Sequence, residues 1–359
     1  MKKLLVWLLM AALCLTPVLG ALGETVVDST SDRGIVPQCK NAQGKWDLNP
    51  VVDGVNPVTG LPWTGTYVPV LVNIDNIKGA RPQWGIAQAD MIYELPIDGI
   101  GMTRLMALYA TEYPEQVGPV RSARILHADM RQEWDAAWVF AGGQEAEGSN
   151  VYGRIRSYGL YDRKVNLVFN LLGQNGSPYS SNVKHHKSPH NHQVALSQVH
   201  DYLLSTGYEF TQRPYLFTDE PMTGDEAGKV VLDFGNGHSN SYLTYSADTQ
   251  DYVRHITEGD ELYVDYNTPD SPVTFNNVIV QWTQLTYYSN QHDRPNLTEV
   301  GEGNADFFMN GKHMSGYWVR TDADSRTVFF DSEGNEMQLQ RGKTYVVVAS
   351  PRFLEVRYE

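Results

Sequence analysis

The densest group of residues suited to chemistry lies at positions 117–124, which read Val-Gly-Pro-Val-Arg-Ser-Ala-Arg. The glycine and proline predict a tight turn, and Ser122 is a residue type that often caps the start of a helix. A helix start exposes backbone N–H groups and carries partial positive charge, so it attracts anions. Arg121 and Arg124 flank this predicted cap, and each can hold a phosphate or carboxylate through two hydrogen bonds. The segment therefore predicts an anion site.

Two other arginines and a histidine could complete this site. Arg104 and Arg81 would extend the cationic patch if their predicted strand ends converge on it. His190 and Asn191 come just before a predicted helix at residues 194–204. Asn191 could cap that helix, and His190 would then face the arginines as a proton donor.

The arginines also have a second interpretation. They could pair with the chain's own acids, among which Glu94, Asp98 and Asp129 are candidates, and so stabilise the edge of a sheet. Internal salt bridges of this kind are common in folded proteins. Residue types alone do not decide between ligand binding and internal pairing, so both interpretations stay open.

Two carboxylates raise a catalytic alternative. Glu94 lies near a predicted strand end, and Glu145 follows the turn Ala-Gly-Gly at residues 141–143. One of them could orient His190 as a general acid or base while the arginines stabilise developing negative charge. His190, Glu94 and Glu145 are thus the catalytic candidates, although exposed surface acids are the usual state of such residues.

The sequence predicts neither a metal nor a cofactor. Four histidines fall within residues 185–192, but no acid or cysteine lies among them and their spacing matches no zinc template. We expect a solvated basic loop there. Nucleophile elbows, phosphate loops and dinucleotide-binding glycine motifs are also absent from the chain.

The elements that must position these residues change in character along the chain. Strands are predicted at residues 68–75, 91–95, 104–109 and 137–141, and helices from Ser122 and near residues 151–158 and 194–204. After about residue 213, short β-branched and aromatic runs alternate with turns. The sequence therefore predicts an α+β fold. Residues 67–212 would form a mixed α/β layer domain and residues 213–359 a mainly β domain, after a linker and lead-in loop at residues 24–66.

The first 23 residues have the pattern of a secretory signal peptide. Two lysines precede an apolar run from Leu4 to Leu15, and small residues follow at Gly20 and Gly23. Lipidation of an exported cysteine requires a small residue before it, but Leu13 precedes Cys14, which argues against a lipid anchor. The protein is therefore expected outside the cytoplasm, with membrane contact only through an uncleaved signal or a lipid anchor.

Charge and cysteine content restrict the choice of partners. The net charge is −14, and loss of the two signal lysines makes it −16, so a nucleic-acid partner is not expected. Only Cys39 would remain after cleavage, so no internal disulfide could form. An anionic cell-wall ligand or an envelope protein is the expected partner.

Several segments together resemble the YerB-like family of bacterial envelope proteins, which carry domain of unknown function 3048. The resemblance depends on Asn-Pro-Val-Thr-Gly-Leu-Pro at residues 56–62, on residues 117–124, on Pro189-His190-Asn191 and on Gly316-Tyr317-Trp318. It implies an exported protein with N-terminal and C-terminal domains, in a family whose members are described as lipoproteins. It brings no established catalytic residues.

These observations favour a binding protein over an enzyme. The predicted ligand contacts are Arg104, Arg121, Ser122, Arg124, His190 and Asn191. The first alternative is a hydrolase or transferase that acts on a cell-wall polymer with His190 as general acid or base. The second is a structural adaptor for wall-synthesis enzymes, with the arginines paired internally.

Overall fold

The computed structural model describes residues 23–38, 49–99, 101–235, 238–257, 259–287 and 294–359. Cys14, Cys39 and nearly all of the predicted export segment lie outside these ranges. Within the described ranges, no helix is both long enough and apolar enough to cross a bilayer.

The described part of the chain is mostly β, with three α-helices. Its first half contains β1 (Thr25–Val26), β2 (Val70–Asp75), β3 (Met91–Pro96), β4 (Thr103–Tyr109), α1 (Ile125–Trp134), β5 (Ala137–Phe140), β6 (Glu145–Ala146), β7 (Ser149–Asn150), α2 (Val151–Ser157), β8 (Val168–Asn170), β9 (Ser180–Asn182), β10 (His192–Val194) and α3 (Leu196–Ser205). Short 3₁₀ turns occur at Lys78–Ala80, Ile86–Gln88 and Ser177–Tyr179.

The second half consists of strands. They are β11 (Leu216–Thr218), β12 (Asp225–Glu226), β13 (Lys229–Asp233), β14 (Ser241–Ser246), β15 (Asp251–Ile256), β16 (Glu261–Leu262), β17 (Val264–Asp265), β18 (Thr268–Pro272), β19 (Thr274–Phe275), β20 (Asn277–Trp282), β21 (Leu285–Tyr287), β22 (Pro295–Leu297), β23 (Gly301–Met309), β24 (Lys312–Arg320), β25 (Val328–Phe330), β26 (Gln338–Gln340), β27 (Thr344–Ala349) and β28 (Glu355–Tyr358).

One large sheet organises the molecule, with strand order β12-β24-β23-β20-β27-β3-β4-β2-β5-β8. The strands β2, β5 and β8 run parallel, as do β3, β27 and β20, and β4 is antiparallel to both of its neighbours. Every residue of β2, β3 and β27 is buried, as expected for strands covered on both faces. The carboxyl ends of the parallel strands therefore meet at one edge of the sheet.

Strands from both halves of the chain contribute to this sheet. On either side of the predicted boundary at residue 213, β3 of the first half pairs directly with β27 of the second half, in parallel register. A second sheet, ordered β1-β28-β13-β14-β15-β16, is built almost wholly from the second half. The large sheet thus joins the two halves.

The two faces of the large sheet pack against different partners. Helix α1 covers one face, where Trp134 Nε1 donates a hydrogen bond to the Tyr93 hydroxyl at 2.7 Å. The second sheet covers the other face, where Arg254 of β15 reaches Glu94 of β3 at 2.9 Å. Side chains alternate between the faces of a strand, so neighbouring residues at the sheet edge enter different environments.

The prediction that a helix begins at Ser122 was wrong, because α1 begins at Ile125 with Arg124 as the preceding cap residue. The backbone before it is held extended by hydrogen bonds to the end of β2. Arg121 N–H donates to the Asn73 carbonyl at 3.0 Å, and Asp75 N–H donates to the Pro119 carbonyl at 2.9 Å. This pairing competes with helix formation.

The predicted cap at Asn191 was also wrong. Residues His192–Val194 form β10, which pairs with β9, and the backbones of Val117 and Val194 exchange two hydrogen bonds of 3.0 Å. Helix α3 therefore begins only at Leu196, after Ala195.

Candidate functional site

A polar site lies at the edge where the parallel strands β2, β5 and β8 end. Asp75 is the last residue of β2, residues 141–143 follow β5, and Asn170 ends β8. The carboxyl edge of parallel strands is the usual place for ligand sites in open α/β sheets, because connecting loops diverge there and leave a crevice. A ligand site is therefore expected at this edge of the sheet.

Three cationic or ionisable side chains surround one buried carboxylate at this edge. His190 Nδ1 lies 2.7 Å from Asp75 Oδ2, and Arg121 Nε lies 3.2 Å from the same oxygen. Arg104 Nη2 lies 4.0 Å from Asp75 Oδ1. We call these four residues the Asp75 cluster. The Asp75 side chain is only 1% exposed, whereas His190 is 18% and Arg121 28% exposed.

Arg104 forms the buried floor of the Asp75 cluster. It lies opposite Asp75 in the β2–β4 register, so both side chains point to the same face. Its Nη1 donates to the Ser122 carbonyl at 2.6 Å. Burial lowers the pKa of Arg104 to about 9, with Asp75 opposing that shift. Arg104 therefore still carries its charge at neutral pH.

Arg121 and His190 form the accessible rim of the cluster. Arg121 is held by the backbone pairing of residues 119–121 with β2, and its Nη1 lies 3.5 Å from the Pro189 carbonyl. With Nδ1 directed at a carboxylate, His190 carries a hydrogen on that nitrogen and leaves Nε2 for another partner. The rim can thus present an arginine fork and an imidazole nitrogen to one ligand.

Arg124 sits beside the cluster at the start of α1, and it is half-buried. Its backbone N–H donates to Nδ1 of His127 at 2.9 Å. Burial, together with the charges of Arg104 and Arg124, holds the pKa of His127 well below its usual value. His127 therefore stays neutral and acts as the acceptor. Ser122 contributes to the cluster through its carbonyl, which accepts a hydrogen bond from Arg104, and it does not cap a helix.

Glu94 lies on the opposite face of the same sheet, so the prediction that it could orient His190 was wrong. In the β3–β4 register Glu94 pairs with Leu105, one residue out of phase with Arg104. Its carboxylate contacts Asn76 Nδ2 at 3.0 Å, Arg254 Nη2 at 2.9 Å, and the hydroxyls of Thr103 and Tyr345. We call these five residues, all buried, the Glu94 cluster.

Glu145 and three of the four loop histidines are not members of the Asp75 cluster. Glu145 is exposed in β6, which pairs with β7. His185 stacks on Tyr266 with ring centroids 4.0 Å apart, and His186 packs against Trp84. His192 is half-buried in β10, and burial followed by the charge of Arg121 lowers its pKa. Across the described ranges, no three His, Cys, Asp or Glu side chains gather as metal ligands.

Asp75 is the functional candidate that sequence reasoning missed. Its signal is present in the sequence, because Asp75 is a lone charged residue at the end of the apolar run of β2. A charge that is buried at a strand end needs partners, and cations from other segments can supply them. The sequence analysis predicted the cations of this cluster but not the carboxylate that they surround.

The fold defines a protein that is mostly β, with two sequence halves joined by one mixed sheet. Two family models match the chain: the N-terminal domain of "Protein of unknown function (DUF3048)" at residues 58–209, and the C-terminal domain of the same family at residues 230–346. The chain therefore belongs to the DUF3048 family. This confirms the resemblance seen in the sequence.

A relative and a solved structure agree with this assignment. "Putative lipoprotein YerB" of Bacillus subtilis (strain 168) is 24% identical over 283 residues, which cover 77% of this chain and 80% of the relative. The crystal structure of YerB protein from Bacillus subtilis has a TM-score of 0.69 at 22% identity and covers 84% of this chain and 99% of that chain. The structural likeness establishes the shared fold.

Proposed function

We propose that this protein is an exported envelope protein that binds an anionic ligand or partner at the Asp75 cluster. The observation that carries the proposal is the convergence of Arg104, Arg121 and His190 on a single buried carboxylate at the carboxyl edge of the parallel strands. Export is supported by the N-terminal pattern and by the name of the Bacillus relative, which describes a lipoprotein.

Charge balance favours an anion over a cation at this edge. Arg104, Arg121 and the nearby Arg124 contribute three positive charges, whereas Asp75 and Asp98, both of which act on Arg104, contribute two negative charges. The Arg121 Nε contact with Asp75 is close but lacks hydrogen-bond geometry, so the guanidinium is not locked into a two-bond fork with its carboxylate. A phosphate or carboxylate could take up that fork.

The chemistry of the ligand follows from the accessible groups. Arg121 and Arg124 offer planar N–H donors, which suit phosphate and carboxylate oxygens, and His190 Nε2 can donate when the ring is protonated. Cell-wall polymers with phosphate groups, wall glycans with carboxylates, and a carboxylate on a partner protein all carry this chemistry. A chain of net charge −14 would attract such ligands only through a local cationic patch of this kind.

Calorimetric titration with short poly(glycerol phosphate) oligomers and with inorganic phosphate tests the proposal. The Arg121→Gln/Arg124→Gln double variant should bind the oligomers about tenfold more weakly or worse, because each lost charge-assisted hydrogen bond weakens binding severalfold. Arg341→Gln is the matched control. Arg341 is similarly accessible but precedes β27, and therefore lies at the opposite edge of the sheet. Equal binding by all three proteins would refute the proposal.

A hydrolase or transferase is the second candidate, and the contact of 2.7 Å between Asp75 and His190 favours it. A buried aspartate that fixes an imidazole through Nδ1 prepares Nε2 to act as a general base or acid. Incubation of wall fragments with wild type and His190→Asn, followed by mass spectrometry of the products, tests this reaction. Products formed by wild type and lost in His190→Asn would support catalysis. Identical product patterns from the two proteins would rule it out.

A further inference from the structure

A cavity of about 410 Å³ lies between strands β12, β24 and β28 and the N-terminal arm, which we define as residues 23–38. The arm is held there because β1 pairs with β28 and Arg33 Nη2 lies 2.8 Å from Asp306 Oδ2. Asp225 of β12 and His313 of β24 line the cavity together with arm residues. No member of the Asp75 cluster is among the described residues of this lining, and β24 lies toward the other end of the large sheet from β2.

His313 is the first sign that this cavity binds a ligand. Its side chain is 7% exposed, and its Nε2 lies 2.8 Å from Oδ1 of Asp306, a buried residue of the neighbouring strand β23. Burial opposes ionisation of Asp306, but the hydrogen bond from His313 and the charge of Arg33 outweigh it and lower the pKa of this carboxyl. Nε2 therefore carries a hydrogen, and Nδ1 of the neutral ring is a hydrogen-bond acceptor.

The Nδ1 atom of His313 is available to a ligand. It has no hydrogen-bond partner among the described residues, yet it is not one of the unpartnered atoms that are shielded from solvent. Nε2 of His127, in contrast, is both unpartnered and shielded. Because His313 lines the cavity, its free acceptor is open to a molecule that enters there. That molecule must supply a hydrogen-bond donor.

Two carboxylates give the cavity an excess of negative charge. Asp225 lies opposite His313 in the β12–β24 register, so the two side chains lie next to each other on one face. Asp28 of the arm accepts hydrogen bonds only from groups of its own turn. Within the described part of the chain, neither carboxylate forms an ion pair. Arg33 is the only lysine or arginine of the described lining, and it is already paired with Asp306.

We propose that this cavity binds a primary ammonium group on a short apolar chain. The ammonium donates hydrogen bonds to His313 Nδ1 and to the Asp225 carboxylate, and Asp28 adds a second negative charge. The apolar chain packs on Val27 and Ile35 of the arm, which also line the cavity. A primary ammonium has three N–H donors and no acceptor, so it suits a site composed of acceptors. The proposal does not depend on the function of the Asp75 cluster.

Calorimetric titration of the full chain with pentylamine tests this proposal. Pentanol and pentyltrimethylammonium are the reference compounds, because the first lacks the positive charge and the second keeps the charge but has no N–H donor. Pentylamine should bind saturably and about tenfold more tightly than either reference compound, the difference expected for one charge-assisted hydrogen bond.

Variants show whether the ammonium lies in this cavity. Asp225→Asn should weaken pentylamine binding about three- to tenfold, and it should fold as wild type does because Asp225 is exposed. His313→Gln should also weaken binding, since its amide nitrogen can still donate to Asp306 but no acceptor replaces Nδ1. Asp248→Asn is the matched control. Asp248 is an exposed acid in the turn between β14 and β15, and its substitution should leave the affinity unchanged.

Three results would overturn the proposal. The first is the absence of saturable pentylamine binding. The second is equal affinity for pentylamine and pentyltrimethylammonium, because N–H donation would then play no part. The third is wild-type affinity in both Asp225→Asn and His313→Gln, because the ammonium would then bind somewhere else.

Discussion

The Asp75 and Glu94 clusters lie near the same edge of one sheet, on opposite faces. Each contains a buried carboxylate, but the groups around the two carboxylates differ in their exposure to solvent. Glu94 contacts a cation, an amide and two hydroxyls, and every partner is buried. Asp75 is equally buried, but two of its partners, Arg121 and His190, reach solvent. The first arrangement is a network closed to solvent, in which Arg254 Nε and Nη1 have no hydrogen-bond partner among the described residues. The second leaves cationic groups available at the surface.

This difference separates a structural role from a binding role. The Arg254 guanidinium lies 4.4 Å from the Tyr263 ring centre and 5.0 Å from that of Tyr345, so cation–π contacts add to its pairing with Glu94. That network joins β3 to β15 and so holds the two sheets together. The Asp75 cluster instead joins β2 and β4 of one sheet to loop residues, and its loop members Arg121 and His190 could turn toward a ligand without separating the sheets.

Removal of Arg254 should give the largest effect on stability. Arg254→Met leaves the Glu94 charge buried without its cation and should lower the free energy of unfolding by about 3–5 kcal/mol. Chemical denaturation measures the loss. Arg357→Met is the matched control, because Arg357 is part of the same sheet but partly exposed, and it should lose no more than about 1 kcal/mol. The double variant Glu94→Gln/Arg254→Met should recover part of the loss. Similar losses in the two single arginine variants would contradict a structural role for the Glu94 cluster.

The pH dependence of stability should also report on the Glu94 cluster. Burial raises the pKa of Glu94 above its ordinary value of 4.5, and Arg254 only partly opposes this shift. The folded state then binds the proton more tightly than the unfolded state does. Glu94 therefore adds stability that is complete below pH 4.5 and is lost as the pH rises through its folded pKa.

Denaturation of wild type and Glu94→Gln at a series of pH values from 4 upward measures this contribution. The variant should lack the part of the decline that Glu94 causes, so the difference between the two proteins should change with pH. Parallel curves would show that Glu94 titrates alike in the folded and unfolded states.

The sequence was sufficient to locate the strands that carry both clusters. Apolar runs predicted β2, β3 and β4 to within a few residues, because strands buried on both faces leave a continuous apolar signal. It also grouped Arg104 at a predicted strand end with Arg121 at a predicted helix start and His190 before another predicted helix, and these three side chains do meet at Asp75. Their use by a ligand stays a prediction.

The sequence could not separate the two clusters, because face and register are properties of strand pairing. Glu94 and Arg104 are both charged residues near strand ends, yet a phase difference of one residue in the β3–β4 pairing places them on opposite faces. The prediction that Ser122 caps a helix was wrong for a related reason. Long-range hydrogen bonds from residues 119–121 to β2 outweighed its local preference.

Substitution of the Asp75 carboxylate should have an intermediate effect on stability and should discriminate between the two functions. Asp75→Asn removes the charge that Arg104, Arg121 and His190 share, and should lower the free energy of unfolding by about 1–3 kcal/mol. Anion affinity should rise, because the carboxylate no longer competes for the arginines. Glu145→Gln, an exposed acid in β6, should change neither quantity. If affinity falls and product formation from wall fragments is lost in Asp75→Asn, the catalytic alternative gains support instead.

The smallest effect on stability is expected at the rim of the Asp75 cluster. Arg121 is partly exposed and its contact with Asp75 lacks hydrogen-bond geometry, so Arg121→Gln should lower the free energy of unfolding by no more than about 1 kcal/mol. Arg104→Gln should cost more, because Arg104 is buried and donates to the Ser122 carbonyl. Denaturation curves of both variants, measured alongside anion titrations, give the two quantities. If Arg121 serves binding, its substitution should lower the affinity for the anion with little change in the free energy of unfolding. If Arg121→Gln instead destabilises the protein as much as Arg104→Gln, the rim arginine is structural, and the Asp75 cluster would be a second closed network like that of Glu94.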